Sequence, residues 1–198
     1  MPRGEVQRHG FEFEDWLKKT FFEIYYTSEW DIPAELNPVK AGGPISIKTA
    51  KWKSSIYFGD AQARYRIDEP YTLIVGFWKK SGNHKRIVKI TESVINPGEW
   101  RSFWGGYTEE AIKRLDTIIK SRELTPEEAR AEAQEFKASE LRGKRGIISL
   151  HPKIDSKTQR RLQCSIPFTD FFDNVVKAPP EEDETFQLWG RKIEPPLL

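Results

Sequence analysis

The chain is predicted to be an α/β protein with a central mixed β-sheet flanked by helices and a C-terminal β-hairpin element. Three features of the sequence carry that expectation. Apolar residues recur at helical spacing near the N-terminus and again across 108–139. The stretch YTLIVGFW at 71–78 is an almost continuous apolar run, the pattern of a strand buried on both faces. Two short strand patterns, at 147–150 and 161–168, flank a basic loop, as the arms of a hairpin do.

Taken in order, Phe13, Trp16, Leu17, Phe21 and Ile24 line one face of a helix over about residues 10–25. Residues 28–32 read as a short extended segment stopped by Pro33, and 34–43, with Asn-Pro and Gly-Gly, as a loop. Strands are expected at 44–50, 55–58 and 71–78. The turn Ser81-Gly82-Asn83 leads into a further strand at 86–90. Ala111, Ile112, Leu115, Ile118 and Ile119 mark a helix over 108–121. Thr125-Pro126-Glu127-Glu128 has the capping residue, the proline at the first helical position and the glutamate three residues on that start a helix, which runs to about Ser139. The expected layout is one α/β domain over 1–178, with a core at 10–92, a helical segment at 108–139 and a β element at 147–168. A weakly ordered acidic tail over 179–198 would follow.

At 198 residues, 37% hydrophobic and 31% charged, the composition is that of a folded globular protein. No apolar run approaches the roughly 20 residues that span a bilayer. Met1-Pro2-Arg3-Gly4-Glu5 lacks the apolar stretch of a secretory signal. The single cysteine, Cys164, excludes an internal disulfide. A cytoplasmic protein without a membrane partner is the expectation. The net charge of +2 averages over uneven regions. Residues 141–166 hold seven Lys/Arg and one acid, 78–90 hold five Lys/Arg and none, and from Asp170 onward seven acids face three bases. Two basic stretches on a near-neutral chain point to a polyanion met by one face.

The stretch from Gly10 to Asp60 is the one that suggests chemistry. In the strand at 44–50, Ile45 and Ile47 take one face, and Ser46 and Lys48 the other. Fourteen residues separate Asp31 from Ser46, so a carboxylate and a lysine on adjacent strands can converge on one phosphate. Hydrolysis of a phosphodiester uses that pairing. Carboxylates hold a hard divalent cation, and a lysine orients the attacking water and stabilises developing charge.

This pattern resembles the PD-(D/E)XK nuclease superfamily and, within it, the type II restriction endonucleases. The resemblance covers about the first ninety residues. Asp31 matches the family's first acid and Lys48 its lysine, while Gly10-Phe11-Glu12-Phe13-Glu14 resembles its helical Gly-x-x-Phe-Glu. The family's second acid should stand two residues before the lysine, where this chain has Ser46. Asp60, after the neighbouring strand, and Glu14 are the candidate replacements. The resemblance implies Asp31, Lys48, Glu14 and Asp60 as catalytic residues, with Asp31, Asp60 and Glu14 on Mg²⁺. It also implies double-stranded DNA as substrate and a homodimer, since two cuts on a two-fold site are most simply made by a two-fold protein. A non-catalytic DNA-binding protein on a degenerate nuclease fold is the alternative that Ser46 raises. An RNA-directed nuclease or a repair enzyme of the same superfamily is a third.

The second constellation is basic. Lys153 and Lys157 suit phosphates, while Arg160, Arg161 and Gln163 suit base edges read bidentately. Leu162, Cys164 and Ile166 alternate with Arg161, Gln163 and Ser165, so one strand can bury its apolar side and present Arg and Gln outward. Tyr57, Trp78, Trp100 and Trp104 are assigned to core or dimer contacts rather than to base-stacking platforms. His9, His84 and His151 show no zinc spacing, and neither a phosphate-cradling glycine loop nor a nucleophile elbow is present.

Overall fold

The computed structural model describes residues 5–22 and 30–198. In chain order its elements are α1 (Glu5–Phe21), a 3-10 turn (Ala34–Leu36), β1 (Ile45–Lys51), β2 (Ile56–Asp60), α2 (Ala61–Tyr65), β3 (Tyr71–Ser81) and β4 (His84–Ile95). There follow α3 (Pro97–Phe103), α4 (Glu109–Lys120), α5 (Pro126–Glu140), β5 (Ser149–Ile154), β6 (Arg160–Ile166), α6 (Phe168–Phe171), a π turn (Phe172–Val176), β7 (Phe186–Leu188) and β8 (Arg191–Ile193). The fold is mixed α/β, as its patterning predicts. None of the described helices is long and apolar enough to cross a membrane. The expected helical position Ile24 and residues 28 and 29 lie outside the described residues.

The chain divides into two compact units. The first gathers the described residues up to 56, then 69–96 and 168–198. Its sheet has the order β1-β3-β4, with β1 parallel and β4 antiparallel to β3. The run YTLIVGFW is therefore the central strand, and its first seven residues are buried. A chain of fully apolar side chains is tolerated there because β3 has a strand on each side and packed layers over both faces. Phe13 and Leu17 of α1 pack with Ile32, Ile45, Ile47 and Ile74 into one core. Phe77 leads a second aromatic cluster with Trp52, Phe168, Phe171 and Phe172, ring centroids 5.4–5.8 Å from its own.

Close approach at two glycines sets this unit's geometry. Gly43, with φ +59°, brings the chain so near Pro70 that a Cβ would lie 1.8 Å from its carbonyl oxygen. Gly76 on β3 is the seat of the Phe13 ring, whose atoms would stand 2.7–2.9 Å from an added Cβ. Phe13 is wholly buried and has nowhere to retreat. Gly76→Ala is thus expected to lift α1 from the sheet and cost about 1–3 kcal/mol by overpacking. A thermal melt measures this, and a melting temperature equal to the parent's would show that α1 is not seated as described.

The acidic tail departs from the sequence expectation. Instead of a weakly ordered extension, residues 179–198 lie along β4. Asp183 accepts hydrogen bonds from Lys89 Nζ (2.7 Å) and the Ile90 N–H (3.0 Å), and Glu182 pairs with Lys79. β7 and β8 form an antiparallel hairpin, and Leu198 exchanges two backbone hydrogen bonds with Lys85. The charge asymmetry read along the chain is cancelled in space, because the acidic tail meets the basic 78–90 strip. The tail also covers the outer edge of the sheet, which β4 would otherwise expose.

The second unit comprises 57–68 and 97–167. Its sheet has the order β2-β6-β5, so the 55–58 strand candidate joins the hairpin rather than the sheet of β3. α4 and α5 carry the expected apolar stripes. The Thr125 capping box is complete: its hydroxyl accepts from the Glu128 N–H at 3.2 Å, and the Glu128 carboxylate accepts from the Thr125 N–H at 2.8 Å. The helix α3 was not foreseen. It is short and opens Pro97-Gly98, yet it supplies Trp100 and Phe103 to the core.

Candidate active site and basic face

Three distant stretches meet in the first unit. Asp31 directly precedes Ile32, which forms an antiparallel bridge with Ile45 at the head of β1. That bridge lays the Asp31 carboxylate along the strand. Its Oδ2 accepts from the Ile47 N–H at 2.6 Å, from Ser46 Oγ at 3.4 Å and from Lys48 Nζ at 3.3 Å. Lys48 also donates to its neighbouring Ile47 carbonyl at 2.8 Å, which folds its stem back toward Asp31. Both side chains keep about a fifth of their surface open to solvent. Asp31 and Lys48, both named from the sequence, stand together as an ion pair.

Glu14 joins them from α1. The charges of Asp31 and Lys48 both act on its carboxyl. Burial pushes the Glu14 carboxyl up, the Asp31 charge adds to that, and the Lys18 hydrogen bond with the charges of Lys18 and Lys48 pulls it back. All four side chains therefore share one local field. Lys18, one turn beyond Glu14, was not singled out from sequence. It is 1% exposed, and its Nζ lies 2.5 Å from Glu14 Oε1. A Glu and a Lys four apart on a helix form a common solvated pair, so only the tertiary packing reveals that this pair is buried.

Ser46 is 3% exposed and turns its hydroxyl to Asp31, so it supports the carboxylate already present without replacing the missing one. Asp60 belongs to the second unit, where it is the N-cap of α2, its Oδ1 accepting from the Ala63 N–H at 2.9 Å. That capping bond is the role the structure shows for Asp60, and it uses one carboxylate oxygen. The first unit thus offers two carboxylates, Asp31 and Glu14. Among the described residues no three His, Cys, Asp or Glu side chains cluster as a metal cage. Mg²⁺ is commonly held by one or two carboxylates, waters and the substrate's own phosphate.

The basic constellation resolves into separate roles. β5 and β6 pair so that His151 faces Gln163 and Lys153 faces Arg161. Leu150, Ile154, Leu162 and Cys164 are buried on one side of this ladder, leaving Lys153, Arg161 and Gln163 on the other. Burial pushes the Cys164 thiol up to about 12, so it is a neutral core group. Arg161 pairs with Asp155 at 3.1 Å, and Lys157 lies in the turn between the strands.

Arg160 is set apart from Arg161 and Gln163 by its side of the strand. By strand alternation it falls on the side of Leu162, where its guanidinium donates to the carbonyls of Ser121 (2.5 Å), Leu124 (2.8 Å) and Ser156 (3.3 Å). It ties the end of α4 to the hairpin. Arg160→Ala is expected to cost about 2 kcal/mol or more, since hydrogen bonds from a charged donor are strong and their loss strands buried carbonyls. The loss would appear in thermal melts, with no change in preference between DNA sequences. A variant of parental stability would refute the structural role.

The aromatic residues also separate. Trp100 and Trp104 are fully buried core. Trp78 is partly buried, with Lys85 Nζ 4.4 Å over its ring. Tyr57, assigned to core or dimer contacts from sequence, is instead 42% exposed on the open side of the β2-β6-β5 sheet.

No protein-family model, no curated protein and no solved structure matches this chain.

Proposed function

We propose that this protein is a metal-dependent endonuclease that hydrolyses phosphodiester bonds in double-stranded DNA, of the kind found among the PD-(D/E)XK nucleases it resembles. The observation that supports the reading is the meeting of Glu14, Asp31 and Lys48, from three separate stretches, around the head of β1. A Mg²⁺ ion held by Asp31 and Glu14 would supply positive charge at the phosphoryl oxygen and a more acidic water. Lys48 then orients the nucleophile and offsets charge building on the phosphorus. Asp31 is held for this work by the Ile47 N–H and Ser46, so its carboxylate needs little reorganisation. Lys18 maintains Glu14 as a carboxylate against its burial. Sequence-specific cleavage by a cytoplasmic homodimer belongs to the same proposal.

The test is incubation of supercoiled plasmid with the full chain and Mg²⁺, with EDTA as control, read by gel. Nicked or linear product that needs the cation is expected. Ser46 in place of a third acid favours a second reading, a DNA-binding protein without cleavage. Plasmid that stays supercoiled with Mg²⁺ or Mn²⁺, together with a retarded band, would establish that reading instead.

A further inference from the structure

The open side of the β2-β6-β5 sheet brings together groups that the cleavage site does not use. Tyr57 projects from β2 and His151 from β5, the two outer strands. Their rings lean over the central strand to a centroid distance of 5.2 Å. Ser165 of β6 is small enough to lie beneath them and bonds His151 Nε2 at 2.8 Å. Lys153 Nζ stands 5.5 Å from the Tyr57 ring centre, and Gln163 lies between the two outer strands on β6. The only acid within residues 141–166, Asp155, is paired with Arg161. An exposed tyrosine beside a partly buried histidine on an acid-poor, cationic sheet is an unusual use of surface for a group as large as tyrosine.

We propose that this face is a binding platform for single-stranded DNA, in which an unpaired base stacks on Tyr57 beside His151 while Lys153 meets the adjoining phosphate. Two physical points favour unpaired bases over a duplex groove. Three strands span about 10 Å between their outer axes before their own width is counted. A major groove of about 12 Å admits a two-stranded ribbon. A stacking surface also tolerates any base, since every base has a π face. Burial, and after it the charges of Lys137, Lys153 and Arg145, push the His151 pKa down, which favours a neutral ring suited to stacking. The choice of DNA over RNA rests on the nuclease reading; the stacking geometry does not.

The test is fluorescence anisotropy of the full chain with fluorescein-labelled oligothymidylate, oligouridylate and a duplex of equal length, in EDTA so that nothing is cut. Tyr57→Ala is expected to weaken oligothymidylate binding about five- to a hundredfold, the range for one stacked base. Tyr57→Phe should retain the parent's affinity. Tyr57→Leu keeps an apolar side chain but no ring and should lose affinity as alanine does, which separates stacking from loss of fold. Duplex affinity should change less than about twofold, given that a base in the stack offers no free face. Oligothymidylate binding that is absent, or equal in parent and Tyr57→Ala, overturns the platform. An equal loss on duplex would assign Tyr57 to a groove contact and also overturn it. Tighter binding of oligouridylate than of oligothymidylate overturns the DNA assignment. Plasmid that resists cleavage while oligothymidylate binding still depends on Tyr57 would remove the nuclease reading and leave the platform in place.

Discussion

Asp31→Asn is expected to slow plasmid cleavage by about 10²–10³-fold, the loss that follows removal of one preorganised charge from a reacting centre. Asparagine is the informative replacement because Asp31 has two functions. Its Oδ2 accepts the Ile47 N–H at 2.6 Å, a backbone donor on a largely buried strand. Alanine would leave that donor without its partner, at a cost of about 1–3 kcal/mol, and a drop in cleavage could then reflect a distorted β1. The asparagine carbonyl can still accept that hydrogen bond, so stability should stay near the parent's while the charge is gone. Lys48→Met gives the complementary case: the aliphatic stem persists and the ammonium is lost. It should show a comparable fall in single-turnover rate. Either variant cutting at the parental rate would take that residue out of the site. A fall in rate accompanied by an equal fall in melting temperature would point to structure rather than chemistry.

These two residues were legible in the sequence because their cues are local. A lysine between apolar neighbours in a strand, and an acid ending an extended segment, keep their meaning in any α/β context. The burial of β3 and the Thr125 helix start are local in the same way. What depended on distant pairing was not legible. β2 reads as one more strand of the first sheet, and nothing within its five residues states that its partner is β6, a hundred residues on. The acidic tail reads as a solvated charge run until its partners Lys79 and Lys89 are seen. Arg160 is a different case, since the signal was present. Strand alternation sets it with Leu162 and Cys164 rather than with Arg161, on the side where its guanidinium meets backbone carbonyls. For Tyr57 alternation gives the face opposite Ile56 and Phe58, but in so short an apolar run it does not tell an exposed ring from one covered by a second layer.

Lys18 tests whether the buried ion pair of α1 serves stability or chemistry. Its Nζ is 2.5 Å from Glu14 Oε1, and the lysine side chain is 1% exposed against 12% for the glutamate. Breaking a buried pair from one side leaves an uncompensated charge and costs about 3–5 kcal/mol. Glu14→Gln is therefore expected to be markedly less stable, with Lys18 stranded. Lys18→Met should behave otherwise, because the remaining carboxyl has an exit: it can bind a proton. The Glu14 pKa is already raised by burial and by Asp31, and Lys18 is the main influence holding it down. Without Lys18 it rises further. The sign of the pH dependence follows from linkage. A carboxyl whose folded pKa lies above its unfolded value favours the native state most below the unfolded pKa, and that advantage is lost as pH rises through the folded pKa. Lys18→Met should thus approach parental stability in mild acid and fall increasingly below it toward neutral and alkaline pH. If Glu14 must be ionised to hold the cation, cleavage by Lys18→Met should recover as pH is raised, in the direction opposite to its stability. Melts and single-turnover rates across a pH series read both trends. Stability and cleavage that fall together with rising pH would make Lys18 a packing residue only, and would remove Glu14 from the cation site.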